Sequence, residues 1–281
     1  MDTCIMRSRH TELKLEKQSL FHVDQGSKFG SLCFSGSLQI PSAHLVDLTK
    51  LIVTNKWASA WAANAESETA LHYLRYLLQR GIHAPATEIA SFLLALSPDA
   101  EVEVNRADSA GRTLLTYSVE AGDEAAELTR LLLNHGAHVW PSEAVNARIG
   151  GDVVERVEVE RTRSGFPWYL RSVMSRGAVA GTEETLRLLC HEMAADPQRM
   201  KRHVQRMMMM LGRGAVVNGP LFAQVRMAMM PDWKRPASLR FICVSKIRRQ
   251  MGPKRLSDGK SAAQLKLPAK LERFVRLEQS P

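Results

Sequence analysis

The sequence predicts an all-α chain built from stacked helical hairpins, and three observations support this fold class. From Ala43 onward, apolar residues recur at spacings of three and four, the period of an amphipathic helix. The helices that this pattern predicts are short, on the order of ten residues, and Gly, Pro and Asp punctuate them. A layout of two short helices closed by glycine turns also recurs along the chain, as expected for hairpins that stack on one another.

The first element in chain order is an irregular N-terminal segment, residues 1–42. Gly and Ser dominate residues 26–42, which predicts a loop with room for one short pair of strands. The first fifteen residues contain no apolar run, so we expect neither a secretory signal nor a transmembrane helix there. The four cysteines are scattered singly, without the spacing of a disulfide framework or a metal site. We therefore expect free thiols and a cytoplasmic location, with the nucleus as the alternative, and no membrane partner.

The clearest helical hairpin is predicted over residues 105–140. Asp108 and Gly111 suit a tight turn, and Thr113 can cap the first helix. Gly122 and Gly136 suit left-handed helix ends, while a run of leucines in the second helix provides a face for stacking. Weaker copies of the same rhythm occupy residues 69–84 and 164–193. Between them, residues 147–165 alternate apolar and charged side chains and predict an inserted loop or hairpin.

The run of residues 105–140 resembles an ankyrin repeat. Its turn residues, the sequence Thr113-Leu114-Leu115 and the closing Gly136 follow that pattern, although Leu114 replaces the usual Pro and Thr116 the usual His. The resemblance implies an α-solenoid of roughly three or four degenerate ankyrin-like repeats over residues 43–195. Residues 196–233 then form a helical connector in this interpretation.

The positive charge of the chain is local. The net charge is +9, but residues 234–278 hold 13 Lys and Arg against 3 Asp and Glu, and the rest of the chain holds 25 against 26. A basic C-terminal segment of this kind is compatible with a phosphate backbone, an acidic membrane surface or an acidic protein partner. Charge alone does not choose among them.

An amphipathic helix is predicted within this segment, in the stretch ASLRFICVSKIRRQMG. Pro236 suits its start and Gly252-Pro253 its end. Packing into the core is the simplest role for its apolar stripe. The cations beside the stripe, Arg240, Lys246, Arg248 and Arg249, are expected to keep the exposed face soluble. The stripe itself consists of Leu239, Ile242, Cys243, Ile247 and Met251.

A second motif, LKLPAKLERFVRLE, follows about twenty residues later. In that order the two motifs resemble a SOCS box, which the resemblance places at residues 234–278. In that family the first helix binds elongin C, which travels with elongin B, and the downstream element contacts a type-five cullin. Lys266 stands where the family often has a proline. The resemblance assigns elongin binding to Ser238, Leu239, Ile242, Cys243 and Ile247. It assigns cullin binding to Leu265, Leu267, Pro268, Leu271 and Phe274.

Ankyrin-like repeats followed by a SOCS box are the architecture of the ankyrin-repeat-and-SOCS-box family. The resemblance implies a non-catalytic adaptor of a cullin-RING ubiquitin ligase, which binds elongin B and C, the cullin with its RING protein, and a protein substrate whose identity the sequence does not give. By bringing the substrate close to the ubiquitin-conjugating enzyme, such an adaptor raises the effective concentration of target lysines. No cofactor and no metal are implied.

Two other classes of function stay open at this point. The chain could be a passive ankyrin scaffold whose last helices cap the stack of repeats. Nucleic-acid binding through the basic segment is weaker, because the cations there lie beside aliphatic residues and only Phe241 and Phe274 are aromatic. Catalysis is not expected, because the sequence lacks HExxH, GxSxG and Walker-type motifs, and His135 and His138 straddle a glycine with no ligand partner nearby in sequence.

Overall fold

A computed structural model of the chain describes residues 3–8, 11–16, 42–55, 59–139, 165–193, 223–225, 239–257 and 265–277. These residues are mostly helical, as predicted. None of the helices in these ranges has both the length and the apolar character needed to cross a membrane. The predicted insertion at residues 147–165 lies almost wholly outside the described ranges. The same is true of the connector at residues 196–233, of which residues 223–225 are described and helical.

The regular elements follow one another along the chain. A β-hairpin comes first, with strands β1 (Thr3–Ser8) and β2 (Thr11–Glu16) paired antiparallel so that Thr3 faces Glu16. The helices are α1 (Ser42–Thr54), α2 (Ala70–Tyr73), α3 (Arg75–Gln79), α4 (His83–Leu96), α5 (Ala100–Val104), α6 (Leu114–Ala121), α7 (Ala126–Asn134), α8 (Gly165–Arg176), α9 (Glu183–Met193), α10 (Leu239–Ser257) and α11 (Ala269–Val275). A short 3-10 helix, Gly122–Ala125, joins α6 to α7.

The N-terminal hairpin is an addition to the predicted all-α fold. Of the Gly/Ser-rich stretch in which the sequence predicts a strand pair, only Ser42 is among the described residues, as the first residue of α1, and the strands occur earlier. Residues 12–16 alternate charged and apolar side chains, which is the period of a strand. The alternation covers so few residues that it does not predict a strand on its own.

Helices α2 to α9 form three helical hairpins that stack side by side, and we call this part the stack. The first helices of the hairpins form one row, in which α3 contacts α6 and α6 contacts α8. The second helices form the other row, in which α4 contacts α7 and α7 contacts α9, with α1 packed against α4. Sequence-adjacent hairpins are therefore spatial neighbours, which is the arrangement expected when no single hairpin can bury its apolar face.

One continuous apolar core runs between the two rows of helices. Phe166 and Tyr169 of α8 are its largest fully buried side chains, and their rings stack with a centroid separation of 6.2 Å. The other side chains in this group are aliphatic and come from α1 and the first two hairpins: Ile52, Leu71, Leu74, Leu77, Ile89, Leu93, Leu114, Leu115 and Leu128. Removal of this much apolar surface from water is the main source of stability.

The turns of the second hairpin agree with the prediction, apart from one cap. Asp108 Oδ1 accepts from the backbone N–H groups of Ala110 and Arg112, at 2.9 and 2.8 Å, and closes the turn that precedes α6. Gly122 and Gly136 both have positive φ, at 79° and 86°. Thr113 occupies the N-cap position of α6, but its side chain makes no capping hydrogen bond. Its carbonyl oxygen instead accepts a hydrogen bond from the Thr116 hydroxyl at 2.7 Å.

Gly122 is the turn residue with the largest expected effect on stability when substituted. Its φ of 79° and ψ of −147° lie in a region that side chains rarely adopt, and a Cβ atom would sit 2.7 Å from the backbone oxygen of Gly181. We expect Gly122→Ala to lower the free energy of unfolding by at least about 2 kcal/mol in urea titrations. Gly177→Ala is the matched control, because Gly177 has φ 71° but no atom within 4 Å of the added methyl group. Equal losses in the two variants would contradict the close contact between hairpins.

Candidate functional site

The C-terminal residues form a small helical unit, which we call the C-terminal module: α10, α11 and residues 265–268 between them. Its own core contains three fully buried side chains, Val244, Phe274 and Val275. Ile247, Met251, Leu267 and Leu271 are partly buried against them. Three buried residues are too few to hold such a unit together alone, so its position depends on contacts with the stack.

Helix α10 presents two apolar faces. Val244, Ile247 and Met251 face the interior of the module, at the spacing of one helix face. On the opposite side, Leu239 and Ile242 are 77% and 51% exposed, and the Cys243 thiol is also exposed. These three residues lie at positions i, i+3 and i+4, so they form one patch at the N-terminal end of α10.

The structure thus divides the stripe that the sequence predicted. Leu239, Ile242 and Cys243 are exposed and available to a partner, whereas Ile247 is half-buried at the edge of the module core. Ser238 lies outside the described residues. We call Leu239, Ile242 and Cys243 the exposed patch of α10. The predicted helix stop at Gly252 is a break in the helix, because its φ of 69° and ψ of 168° are non-helical and the helix resumes to Ser257.

The downstream residues also divide into exposed and supporting positions. Leu265 is 44% exposed, and Pro268 is exposed at the N-cap of α11. Leu267 and Leu271 are half-buried against the module core. Phe274, which the resemblance assigns to cullin binding, is 2% exposed, and its ring packs inside the module between α11 and α10.

Lys266 adopts a backbone conformation that proline cannot. Its φ is +47°, in the left-handed region, whereas the proline ring holds φ near −65°. Its side chain is exposed in the turn that leads to Pro268. A proline at position 266 would therefore require a different course of the backbone in this turn.

Arg248 attaches the C-terminal module to the stack. It is 6% exposed, which corrects the prediction that this cation keeps an exposed face soluble. Its guanidinium donates to the carbonyl oxygen of Val275, forms an ion pair with Glu192 of α9 and donates to Asn134 Oδ1 of α7 at 3.1 Å. One side chain thus joins both helices of the module to two helices of the stack.

Further contacts hold the end of the module against α7. Arg130 Nε donates to the carbonyl oxygen of Leu277 at 2.9 Å, and Asn134 Nδ2 donates to that of Arg276 at 3.3 Å. The side chain of Leu277 is fully buried in the main core of the stack. Several polar contacts and one apolar contact therefore fix the C-terminal module, which includes the exposed patch of α10, to the stack. Sequence reasoning missed these residues, because nothing in their local pattern indicates a partner more than a hundred residues away.

The pKa of His191 in α9 is shifted by burial and by two nearby cations, close to the contacts between the C-terminal module and the stack. Burial, with the positive charges of Arg248 and Arg187, lowers the pKa of His191 to about 3. Its imidazole is therefore neutral in the folded protein near pH 7. A proton on His191 would place a third positive charge in the buried region around the Arg248 and Glu192 ion pair.

We expect the free energy of unfolding to fall as the pH is lowered from 7.5 to 5.5. Below about 6.5, the usual histidine pKa, the unfolded chain takes up a proton at His191 that the folded chain does not, at a cost of up to about 1.4 kcal/mol per pH unit. Burial also lowers the pKa of His72 and His135, which contribute in the same direction. Urea titrations at the two pH values should show a smaller difference for His191→Gln. An unchanged difference in that variant would contradict this assignment.

Comparison of the chain with protein-family models, with curated proteins and with solved structures finds no match.

Proposed function

We propose that the chain is the substrate-recognition adaptor of a cullin-RING ubiquitin ligase, and that the exposed patch of α10 is its elongin C contact. The observation that carries this proposal is the exposure of Leu239 and Ile242 on a helix whose opposite face is buried. Large aliphatic side chains that remain in water at neighbouring helical positions suit insertion into a partner's groove. The small thiol of Cys243, one turn after Leu239 and next to Ile242 in the chain, fits where a larger side chain would clash.

The attachment of the module to the stack supports the same proposal. An adaptor has to hold its target at a defined distance from the ligase, and a rigid connection loses less entropy on assembly than a flexible one. Arg248, Arg130 and Leu277 supply that connection here. In this proposal Leu265 and Pro268 are the exposed contacts of the cullin element, with Leu267 and Leu271 partly accessible beside them.

We further infer that the stack is of the ankyrin type. Thr69-Ala70-Leu71-His72 keeps the histidine that the second hairpin lacks, and His72 Nδ1 accepts from the Thr69 backbone N–H at 3.0 Å. With Nδ1 accepting, Nε2 carries the proton and donates to the carbonyl oxygen of Arg106 at 3.1 Å, which links the first hairpin to the turn before the second. Glycines with positive φ at positions 81, 122, 136 and 177 close the helices, as in repeats of that kind.

The experiment that tests the adaptor function is co-expression of the full chain with elongin B and elongin C, followed by affinity purification and size-exclusion chromatography. We expect the three proteins to elute together in equimolar amounts and to retain the type-five cullin when it is added. Elution of the chain without either elongin would contradict the proposal. Retention of the elongins without the cullin would limit the proposal to elongin binding, with the altered backbone at Lys266 as the physical reason.

The passive scaffold is the second candidate, and one observation favours it. Leu277 is buried in the main core and α10 contacts α7 of the stack, which is what a capping element does. A cap, however, has no need of exposed aliphatic residues on its outer face. The two candidates are therefore distinguished by the same purification, in which a scaffold retains neither elongin.

A further inference from the structure

Arginine and aromatic side chains alternate across all three hairpins of the stack. They come from the first helix of each hairpin or from the turn just before it, and each guanidinium carbon lies 4.6–5.7 Å from the centroid of a neighbouring ring. We call this row the arginine–aromatic ladder; its members in spatial order are Tyr76, Arg75, Tyr117, Arg112, Trp168 and Arg171. Contacts at these distances are cation–π interactions.

At one end of the ladder the positive charge is neutralised within the protein. Arg75 forms an ion pair with Glu68, lies 3.9 Å from Asp108 Oδ2 and donates to the Tyr76 hydroxyl at 2.7 Å. The Tyr117 hydroxyl in turn donates to Asp108 Oδ2 at 2.6 Å. With its charge and its N–H groups engaged in this way, Arg75 has a structural role.

At the other end of the ladder, Arg112 and Arg171 are accessible to solvent, and no close ion pair among the described residues neutralises them. Arg112 stacks on Tyr117 and Trp168, its side chain is 37% exposed, and its only ion pair among the described residues is a long one, 3.9 Å to the exposed Glu120. Arg171 is exposed, and none of the carboxylates in the described parts of the chain forms an ion pair with it. A guanidinium stacked on a ring keeps its N–H edge free to donate, and its orientation is fixed before a ligand arrives.

We propose that Arg112 and Arg171 bind an acidic segment of a partner protein, with side-chain carboxylates as the recognised groups. The guanidinium carbon of Arg112 lies 4.8 Å from the centroid of the Trp168 ring, and that of Arg171 lies 5.2 Å from the same ring centroid. In an extended peptide, alternate side chains are on one face and about 7 Å apart, so acidic residues at positions i and i+2 suit two guanidinium groups that lie beside one ring. Carboxylate is the planar acceptor that a guanidinium edge binds through two hydrogen bonds.

The burial of the rings argues for a peptide over a nucleic acid. Tyr117 and Trp168 are each only 7% exposed, because the arginines and the neighbouring helices cover them. Binding of a single-stranded nucleic acid relies on open aromatic faces on which bases stack, and neither of these rings offers one. The anionic group of the ligand therefore has to meet the arginine edges directly.

This inference deepens the proposed function, because the ladder would be where an adaptor holds its target. The binding itself requires no ligase component. The elongin purification and the peptide experiment below can therefore fail independently: loss of elongin binding would leave the acidic-segment site intact, and loss of peptide binding would leave the exposed patch of α10 intact.

The test is fluorescence anisotropy with the full chain and a labelled twelve-residue peptide of alternating Glu and Ser. The reference peptide has Gln in place of Glu, and a labelled twelve-nucleotide oligouridine is the third probe. We expect the Glu peptide to bind at least tenfold more tightly than the Gln peptide in low salt, with the difference shrinking as salt is raised. Arg171→Gln changes an exposed side chain and should weaken binding about threefold to tenfold, and Arg112→Gln combined with Arg171→Gln should abolish the preference for Glu.

Two variants with other expected outcomes sharpen the test. Glu120→Gln removes the internal competitor for Arg112 and should tighten Glu-peptide binding about twofold to threefold. Lys50→Gln combined with Lys246→Gln removes two positive charges from α1 and α10 and should leave binding within about twofold. Equal binding of the Glu and Gln peptides, or an equal loss in this charge control, would overturn the proposal. Tighter binding of oligouridine with the same dependence on Arg112 and Arg171 would also overturn it in favour of a nucleic-acid site.

Discussion

Leu239→Asp is expected to weaken binding to the elongin B–C complex by at least about 100-fold. The substitution replaces the most exposed aliphatic residue of the patch with a charge that would be buried in the partner's groove without a counter-ion. Isothermal titration calorimetry of the purified variant against elongin B–C measures the effect. The chain itself should stay folded, with a melting temperature within about 2 °C of the wild type, because Leu239 is 77% exposed and contributes little to the core.

Leu265→Asp provides the matched control for this prediction. Leu265 is also an exposed leucine of the C-terminal module, but it lies beyond α10, in the turn before Pro268. We expect this variant to bind elongin B–C as the wild type does and to lose affinity for the cullin. If Leu239→Asp unfolded the chain, or if both variants lost elongin binding equally, α10 would be a packing element and not a docking helix.

Arg248→Met is expected to lower the free energy of unfolding by about 3 kcal/mol. The substitution leaves the carboxylate of Glu192 and the carbonyl oxygen of Val275 without their charged donor in a buried junction, where unpaired polar groups are costly. Hydrogen exchange should show the damage locally, as faster exchange in α10 and α11 than in α6 or α8. Urea titration gives the global value.

Two further variants distinguish the effect of losing the buried ion pair from the effect of losing a positive charge on α10. Lys246→Met removes an exposed cation from the same helix and should change stability by less than about 0.5 kcal/mol. Adding Glu192→Gln to Arg248→Met should restore part of the loss, because it removes the carboxylate left without a partner. A loss in Lys246→Met as large as that in Arg248→Met would show that the junction does not depend on the buried guanidinium.

Local structure was predictable from the sequence where a short pattern determines it. The Asp108 turn and the positive φ of Gly122 and Gly136 follow from residue types that favour those conformations. The exposure of Leu239 could not be predicted from a local pattern of residue types. Periodicity places it on an apolar stripe, and only the three-dimensional structure shows that Val244, Ile247 and Met251 face the module core whereas Leu239 is exposed.

Tertiary contacts explain why the environments of other residues differ from those that the sequence predicts. Arg248 has the local sequence of a solvated cation, yet three partners from distant parts of the chain surround it: Val275, Glu192 and Asn134. Phe274 has the position of a contact residue in the motif, yet α10 covers it. The arginine–aromatic ladder could not be predicted from the sequence either, because its members belong to three hairpins and no local pattern relates Arg75 to Arg171.

Alkylation of Cys243 in the presence and absence of elongin B–C tests the central claim most directly. The thiol is exposed between Leu239 and Ile247, while Cys190 is buried in α9 and serves as an internal reference in the same mass spectrum. The account predicts that a saturating amount of elongin B–C slows iodoacetamide labelling of Cys243 at least tenfold and leaves Cys190 unchanged. Labelling of Cys243 at the same rate with and without the elongins would contradict it.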